Sequence, residues 1–190
     1  MAIQYLHNLP WSKWTREERF YCSILYSYAQ NNPKQFMNFL IEKRVLNIDL
    51  EGEWDIGYEV CFYRDYLWQI GDSARSNGLP IKRTFDLCVF GEKSMTIIEA
   101  KVCEPFDAKQ NETFEKDKTR INDLPGLKEI TVNVVALASS KYFENAEVYG
   151  RDGTLDMFDG HFTWADCEEQ YKEPLFKQAD EMYKGIKRLL

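Results

Sequence analysis

Two short segments with a two-residue hydrophobic period, joined by four turn-forming residues, most constrain the fold of this chain. Residues 84–90 and 95–102 alternate in the manner of β-strands, and the sequence GEKS at 91–94 is typical of a turn. Strands joined by so short a turn pair with each other. The pattern therefore predicts an antiparallel β-hairpin in which Asp86 lies opposite Glu99.

This pairing of Asp86 with Glu99 would place two carboxylates on one face of the hairpin, with Cβ atoms about 4.5–5.5 Å apart. Carboxylates at this separation repel each other, so the pairing by itself does not stabilise a sheet. A divalent cation such as Mg²⁺ or Mn²⁺ removes the repulsion, because it binds carboxylate oxygens. The alternative is a surface cluster held by an ordinary salt bridge. The apolar residues on either side of both acids favour the metal site.

Lys101 lies two residues after Glu99, so its side chain should project from the same face of the strand. An ammonium group there can hold and polarise a water molecule, or stabilise charge that develops on a phosphate. The cation would lower the pKa of that water and bind the phosphate. We therefore predict hydrolysis of phosphodiester bonds by metal-activated water, with Asp86, Glu99 and Lys101 as the catalytic residues.

The other predicted elements place this hairpin in a sheet flanked by helices. The sequence TREE at 15–18 has the pattern of a capping box and predicts the start of a first helix, and Pro33 predicts the start of a second. The remaining predictions are a strand at 58–63, a loop at 71–80, a helix at 107–124, a doubly covered strand at 130–139 and a helix at 174–190. Because no repeat or linker divides the chain, we predict a single α/β domain over residues 1–190.

The hairpin residues resemble the motif of the PD-(D/E)XK, or restriction-endonuclease-like, superfamily of nucleases. Asp86 matches the first acidic position of that motif. Glu99, Ala100 and Lys101 match its (D/E)XK element. The resemblance implies that Asp86, Glu99 and the carbonyl of Ala100 bind Mg²⁺ or Mn²⁺, and that Lys101 is catalytic.

The same resemblance implies a fold, namely a mixed β-sheet flanked by helices with an αβββαβ core. The elements predicted above agree with that order over residues 15–140. Phe85 departs from the motif, because many members of the superfamily have proline at this position. The superfamily tolerates that variation.

Two residues compete for a further acidic position of the motif. Glu59 lies on the strand before the Asp86 strand, in a segment that its apolar neighbours predict to be mostly buried, and a buried carboxylate needs a partner. We therefore predict Glu59 as an additional metal ligand. Glu18 lies on the first helix, where the superfamily often has a glutamate, but the capping box already explains it. Glu18 is kept in reserve.

Four residues are candidates for binding substrate. Gln110 and Phe114 resemble the QxxxY element of some superfamily members, with Phe in place of Tyr, and this would let Gln110 contact the metal-bound water or the substrate. Arg64, Lys82 and Arg83 lie near the mouth of the hairpin and could contact phosphates. For each of these charged residues, solvated surface charge is the alternative.

Composition narrows the class of protein further. The net charge of −7 counts against tight nonspecific binding of nucleic acid, although a metal ion or a local basic patch can offset it. The five cysteines contain no CxxC pair, which counts against a disulfide framework or a zinc knuckle. No secretory leader or membrane-spanning stretch is visible, so we expect a cytoplasmic protein with no membrane partner.

The predicted function is therefore a metal-dependent nuclease that acts on nucleic acid, DNA in preference to RNA. A homodimer is the expected assembly for an enzyme that cuts duplexes. One alternative is a noncatalytic module that keeps the nuclease fold and binds nucleic acid or protein. A second alternative is an accessory, antitoxin-like interaction protein whose exposed aromatic residues form a partner surface. Binding of a divalent cation that depends on Asp86 separates the first possibility from the other two.

Overall fold

A five-stranded mixed β-sheet forms the centre of the protein in a computed structural model, which describes residues 9–72, 78–106, 108–148 and 155–184. The strands are β1 (Trp54–Val60), β2 (Phe85–Gly91), β3 (Ser94–Ala100), β4 (Thr131–Ala138) and β5 (Gly160–Thr163). They lie side by side in chain order. β1, β2 and β3 are antiparallel neighbours, whereas β3, β4 and β5 run parallel.

Helices flank this sheet. They are α1 (Glu18–Ala29), α2 (Pro33–Glu42), α3 (Phe62–Gln69), α4 (Ala108–Asp123), α5 (Ser140–Val148), α6 (Trp164–Tyr171) and α7 (Pro174–Met182). A short 3₁₀ helix, Trp11–Lys13, precedes α1. Within the described ranges, no helix has both the length and the apolar character needed to cross a membrane.

The helices cover both faces of the sheet. Leu87 and Ile98 pack in one core with residues of α1, α2, α6 and α7. Their strand neighbours Cys88 and Ile97 point the opposite way and pack in a second core with residues of α3 and α4. The predicted α/β class, with a mixed sheet between helices, is therefore confirmed.

The hairpin has the predicted register. Leu87 lies opposite Ile98, and the same antiparallel pairing continues to the turn at 91–94. The ladder ends at Leu87 and Ile98, and Asp86 and Glu99 are the next residue on each strand. The prediction held because a short turn leaves little freedom in the pairing, and a slip by one residue would turn every apolar side chain to the other face.

The predicted strand at 58–63 is wrong at its end. β1 ends at Val60, and helix α3 follows almost at once. Glu59 has a left-handed backbone conformation (φ 52°), which breaks the regular alternation of the strand. Beyond this bend, Tyr63 and Leu67 are buried at helical spacing. A short run of aromatic residues fits either period, so tertiary packing decided between them.

The predicted capping box at 15–18 is also wrong. Glu17 is the N-cap residue of α1, and its side chain makes no capping hydrogen bond. The Thr15 hydroxyl instead accepts from the backbone N–H of Glu17 at 3.2 Å. Glu18 therefore has no capping role, and its carboxylate is available for another contact.

The remaining predictions vary in accuracy. The starts of α2 and α7, the helix α4 and the buried strand β4 are confirmed. The segment that forms α5, β5 and α6 was not predicted, because β5 has only four residues and shows little alternation. Residues 73–77 of the predicted loop and 185–190 of the predicted last helix lie outside the described residues.

Candidate active site

Asp86 and Glu99 come together at the end of β3, next to the backbone of Ala100. The Asp86 Oδ2 atom accepts a hydrogen bond of 2.8 Å from the Ala100 amide. Burial, and then the nearby negative charge of Glu99, raise the pKa of Asp86 to about 7. The two carboxylates are therefore close enough to repel each other, as the predicted pairing requires.

The ammonium group of Lys101 lies among several oxygen atoms. Its Nζ is 3.0 Å from Glu99 Oε1, 2.9 Å from the Ala100 carbonyl oxygen and 3.2 Å from Glu18 Oε1. The side chain is only 12% exposed. Burial lowers the pKa of Lys101, but the charges of Glu99 and Glu18 outweigh this effect and raise it above its ordinary value. Lys101 therefore stays charged.

Glu18 provides the third carboxylate of this cluster. It is the first residue of α1, and its side chain is partly buried against the end of β3. Burial raises the pKa of Glu18, and the ion pair with Lys101 opposes that rise. The residue kept in reserve thus lies beside Lys101.

Glu59, predicted as the additional metal ligand, has a different ion partner. Its Oε1 lies 3.2 Å from Nε of Arg19, and the Glu59 side chain is 27% exposed. The segment Tyr58–Val60 is only partly buried, contrary to the prediction for it. The left-handed backbone at Glu59 explains why alternation along the strand did not predict the direction of this side chain.

The charges of the cluster do not balance. Glu18, Asp86 and Glu99 carry three carboxyl groups, whereas Lys101 supplies one ammonium. Cys22 of α1 lies in the same neighbourhood, and burial together with the Asp86 and Glu18 charges raises the pKa of its thiol well above the ordinary value. Excess negative charge in a partly buried place is where a divalent cation gives the largest stabilisation.

Oxygen atoms from Glu18, Glu99 and Ala100 surround the Lys101 ammonium, and this ligand chemistry fits Mg²⁺ or Mn²⁺. Lys101 Nζ therefore occupies a position that suits a small cation. In the part of the chain that the structure describes, no three His, Cys, Asp or Glu side chains are already arranged around a metal position. A cation would bind here with a movement of the Lys101 ammonium.

Arg83, predicted to contact phosphate, instead contacts two residues of α4. Its Nε donates to Asp117 Oδ2 at 2.9 Å, and its guanidinium lies 4.6 Å from the ring centre of Phe114. Asp117 is fully buried, and its second carboxylate oxygen accepts a 2.7 Å hydrogen bond from the Tyr63 hydroxyl. These contacts join α3 and α4 to the segment before β2. The phosphate prediction for Arg83 is therefore not supported.

Arg64 and Lys82, also predicted to contact phosphates, are exposed. Arg64 forms an ion pair of 2.8 Å with its neighbour Asp65. Gln110 belongs to the first turn of α4, and its side chain lies outside the described residues. Phe114, which completed the predicted QxxxY element, is buried in the core under Arg83.

Trp164 is a residue of this site that sequence reasoning missed. Its indole Nε1 donates to the Lys101 carbonyl oxygen at 2.9 Å and so fixes the backbone that carries the lysine. Trp164 begins α6, which was not predicted. A signal was present, because Thr163 and Asp166 form a capping box at the start of that helix.

No family model, curated protein or solved structure matches this chain. The resemblance to the PD-(D/E)XK superfamily therefore depends on the motif residues. In the structure, Asp86 near the start of β2 lies close to Glu99 and Lys101 at the end of β3.

Proposed function

We propose that this chain is a divalent-metal-dependent nuclease with a restriction-endonuclease-like fold, which hydrolyses phosphodiester bonds of nucleic acid, DNA in preference to RNA. The observation that carries the proposal is the cluster of Asp86, Glu99 and Lys101. Two carboxylates repel each other there, and a lysine ammonium lies beside them. A cluster that only stabilised the sheet would have no need for the surplus negative charge.

The residues of the cluster have distinct roles in this proposal. Asp86, Glu99 and the Ala100 carbonyl would hold Mg²⁺ or Mn²⁺, and Glu18 would contribute a further carboxylate. The bound ion supplies a water of lowered pKa and binds the scissile phosphate. Lys101 then donates hydrogen bonds to the attacking water or to the phosphate oxygens, where its charge stabilises the transition state.

The overall charge of the protein makes this function depend on the metal. The net charge is −7, and the Lys101 ammonium contacts the carboxylates of Glu18 and Glu99, while Asp86 adds a third carboxyl group nearby. A phosphate group approaching the metal-free cluster would be repelled. We therefore expect cleavage to be lost when the metal is removed by a chelator.

The test combines cleavage with direct metal binding. Purified protein is incubated with single- and double-stranded DNA and RNA in Mg²⁺, in Mn²⁺ and in EDTA. Wild type should cut in metal, whereas Glu99→Gln and Lys101→Met should lose at least about 10²-fold in rate. Lys177→Met, at a side chain 69% exposed, is the matched control and should cut normally.

Two results would reject the proposed site. If Glu99→Gln and Lys101→Met cut as fast as wild type, the cleavage comes from another site or another protein. Calorimetric titration with Mn²⁺ adds an independent measure, because binding should be lost in Asp86→Asn. Retention of full Mn²⁺ affinity in that variant would also reject the proposed site.

A second candidate is a noncatalytic module with the nuclease fold. The observation that favours it is the position of Lys101, whose ammonium forms ion pairs with both Glu18 and Glu99. Such a module would show no Mn²⁺ binding that depends on Asp86, and no cleavage of any nucleic acid. The two experiments above therefore separate the candidates.

A further inference from the structure

Two tryptophans are exposed just before α1. The side chains of Trp11 and Trp14 are 42% and 39% exposed, and Leu9 beside them is 45% exposed. Exposed aromatic residues that lie together mark interaction surfaces more often than isolated ones do. We call Trp11 and Trp14 the tryptophan pair.

The tryptophan pair is held by the fold. Trp11 packs edge-on against Phe20 of α1, with ring centres 4.9 Å apart, and its ring centre lies 6.5 Å from that of Trp14. Gln178 of α7 donates a hydrogen bond of 2.6 Å to the Ser12 carbonyl between them. The rings are therefore presented in a set position, which lowers the entropy lost when a ligand stacks on them.

The charges around the pair differ from those of the whole protein. Lys13, Arg16 and Arg19 are exposed in the same short segment, which also holds the exposed acid Glu17. Arg19 is paired with Glu59, so Lys13 and Arg16 carry the local positive charge. In a chain of net charge −7, this local excess of positive charge is complementary to phosphate.

The pair also lies near the acidic cluster. Trp14 precedes Glu18 by four residues, so their Cα atoms are at most about 14 Å apart. Arg16 bridges the two regions, because its Nε lies 3.1 Å from the Cys103 sulfur, two residues beyond Lys101. At the rise of roughly 3.4 Å that stacked nucleotides have in a duplex, this separation corresponds to at most about four nucleotides.

We propose that Trp11 and Trp14 stack on unpaired bases of a single-stranded nucleic acid, while Lys13 and Arg16 bind its phosphates and lead the strand to the acidic cluster. This inference rests on the proposed nuclease function. An aromatic ring beside basic side chains is the combination that binds single strands without sequence preference. In a duplex the faces of the bases are already stacked on their neighbours, so single strands should bind more tightly.

The test measures binding without cleavage. Fluorescence anisotropy of a labelled twelve-nucleotide oligothymidine is followed in EDTA at low salt, with the full chain. Trp11→Ala and Trp14→Ala should each weaken binding about ten-fold, whereas Trp11→Phe should keep most of the affinity. The matched control is Trp68→Ala on α3, which removes a tryptophan that is 86% exposed.

Two further ligands and a stability measurement complete the binding experiment. Oligouridine tests RNA, a hairpin duplex tests the preference for single strands, and thermal unfolding shows whether each variant is folded. The inference is overturned if wild type shows no binding, if duplex binds as tightly as single strand, or if Trp68→Ala has the same effect as the pair variants. It is also overturned if the pair variants change the mass measured by light scattering, because a second copy of the chain would then cover this surface.

Failure of this inference can be told apart from failure of the nuclease proposal. If wild type cuts nucleic acid in Mg²⁺ while the pair variants bind as wild type does, the nuclease stands and the stacking role is wrong. If binding depends on the pair but no metal supports cleavage, the stacking surface stands and the nuclease proposal is wrong.

Discussion

The ammonium of Lys101 lies 3.2 Å from the carboxylate of Glu18 and so joins the end of strand β3 to the first residue of helix α1, across 83 positions of the chain. The same Nζ is 3.0 Å from Glu99. Because it lies among the oxygens that would bind a metal, Lys101 has two roles in the proposed site. It neutralises the acids before a cation binds and acts on the substrate afterwards.

Replacement of Lys101 with methionine should separate metal binding from catalysis. Met removes the charge that repels an incoming cation while filling a similar volume, so the Kd for Mn²⁺ should fall about ten-fold. Cleavage should nevertheless be lost, because no ammonium remains to act on water or phosphate. Isothermal titration calorimetry and a cleavage assay on the same preparation measure both effects.

The metal-free Lys101→Met protein should also be less stable than wild type, because the carboxyl groups of Glu18, Asp86 and Glu99 lose their counter-charge. Mn²⁺ should restore the thermal midpoint, since a ligand that binds only the folded state stabilises it. Weaker Mn²⁺ binding in Lys101→Met than in wild type would show that the lysine does not compete with a cation.

Glu18 and Glu59 allow a direct comparison of two similar substitutions. Glu18→Gln should weaken Mn²⁺ binding about ten-fold, because Glu18 contacts the same ammonium that the cation would displace. Glu59→Gln removes the ion pair with Arg19 and should leave the Kd for Mn²⁺ within about two-fold of wild type. Calorimetric titration of both variants with Mn²⁺ measures the two effects. A larger loss of Mn²⁺ affinity in Glu59→Gln than in Glu18→Gln would show that Glu59 is the metal ligand, as the sequence pattern predicted.

The raised pKa of Asp86 predicts how stability depends on pH in the metal-free protein. Its pKa is about 7 in the folded state, so the folded protein binds the proton more tightly than the unfolded chain does. This contribution to stability is present in full below the unfolded pKa and is lost as the pH rises toward 7 and above. The free energy of unfolding of Asp86→Asn should therefore exceed that of wild type by roughly a few kcal/mol at pH 8 in EDTA. The difference should shrink toward pH 4.

Urea unfolding monitored by circular dichroism at several pH values measures this effect. Asp166 provides a control, because its pKa is shifted in the opposite direction and its contribution to stability should change with pH in the opposite sense. Burial raises the pKa of Asp166, but hydrogen bonds from Thr163 and Lys43 outweigh burial and lower it. Stability from Asp166 is therefore present above its unfolded pKa and lost as the pH falls. A stabilising effect of Asp86→Asn that was the same at pH 4 and pH 8 would contradict the assignment.

Arg83 should matter for stability more than for substrate. Arg83→Met removes the guanidinium that pairs with the fully buried Asp117 and should lower the free energy of unfolding by about 3 kcal/mol. Lys82→Met, at the exposed neighbouring position, should change stability by less than about 0.5 kcal/mol. The opposite result would be that the two variants are equally stable and only Arg83→Met binds substrate more weakly. That result would support phosphate binding by Arg83, as predicted from the sequence.

Local signals were sufficient for the central elements of the fold. Asn32 and Pro33 begin α2 because a capping side chain and a fixed φ angle act within a few residues. By contrast, Thr15 did not cap α1, and Phe62 began a helix where a strand was expected. In both places several local structures were compatible with the residues, so distant packing partners decided between them.

The closeness of Asp86 and Glu99, and the position of Lys101 beside them, were determined by the sequence, because a short turn and a two-residue period leave one register for the hairpin, in which these acids follow the last paired residues. The tertiary structure decided that Glu18 rather than Glu59 is the acid that contacts Lys101. That choice depends on where helix α1 lies against the end of β3. No local pattern encodes it, since the burial of many apolar side chains along the whole helix sets this position.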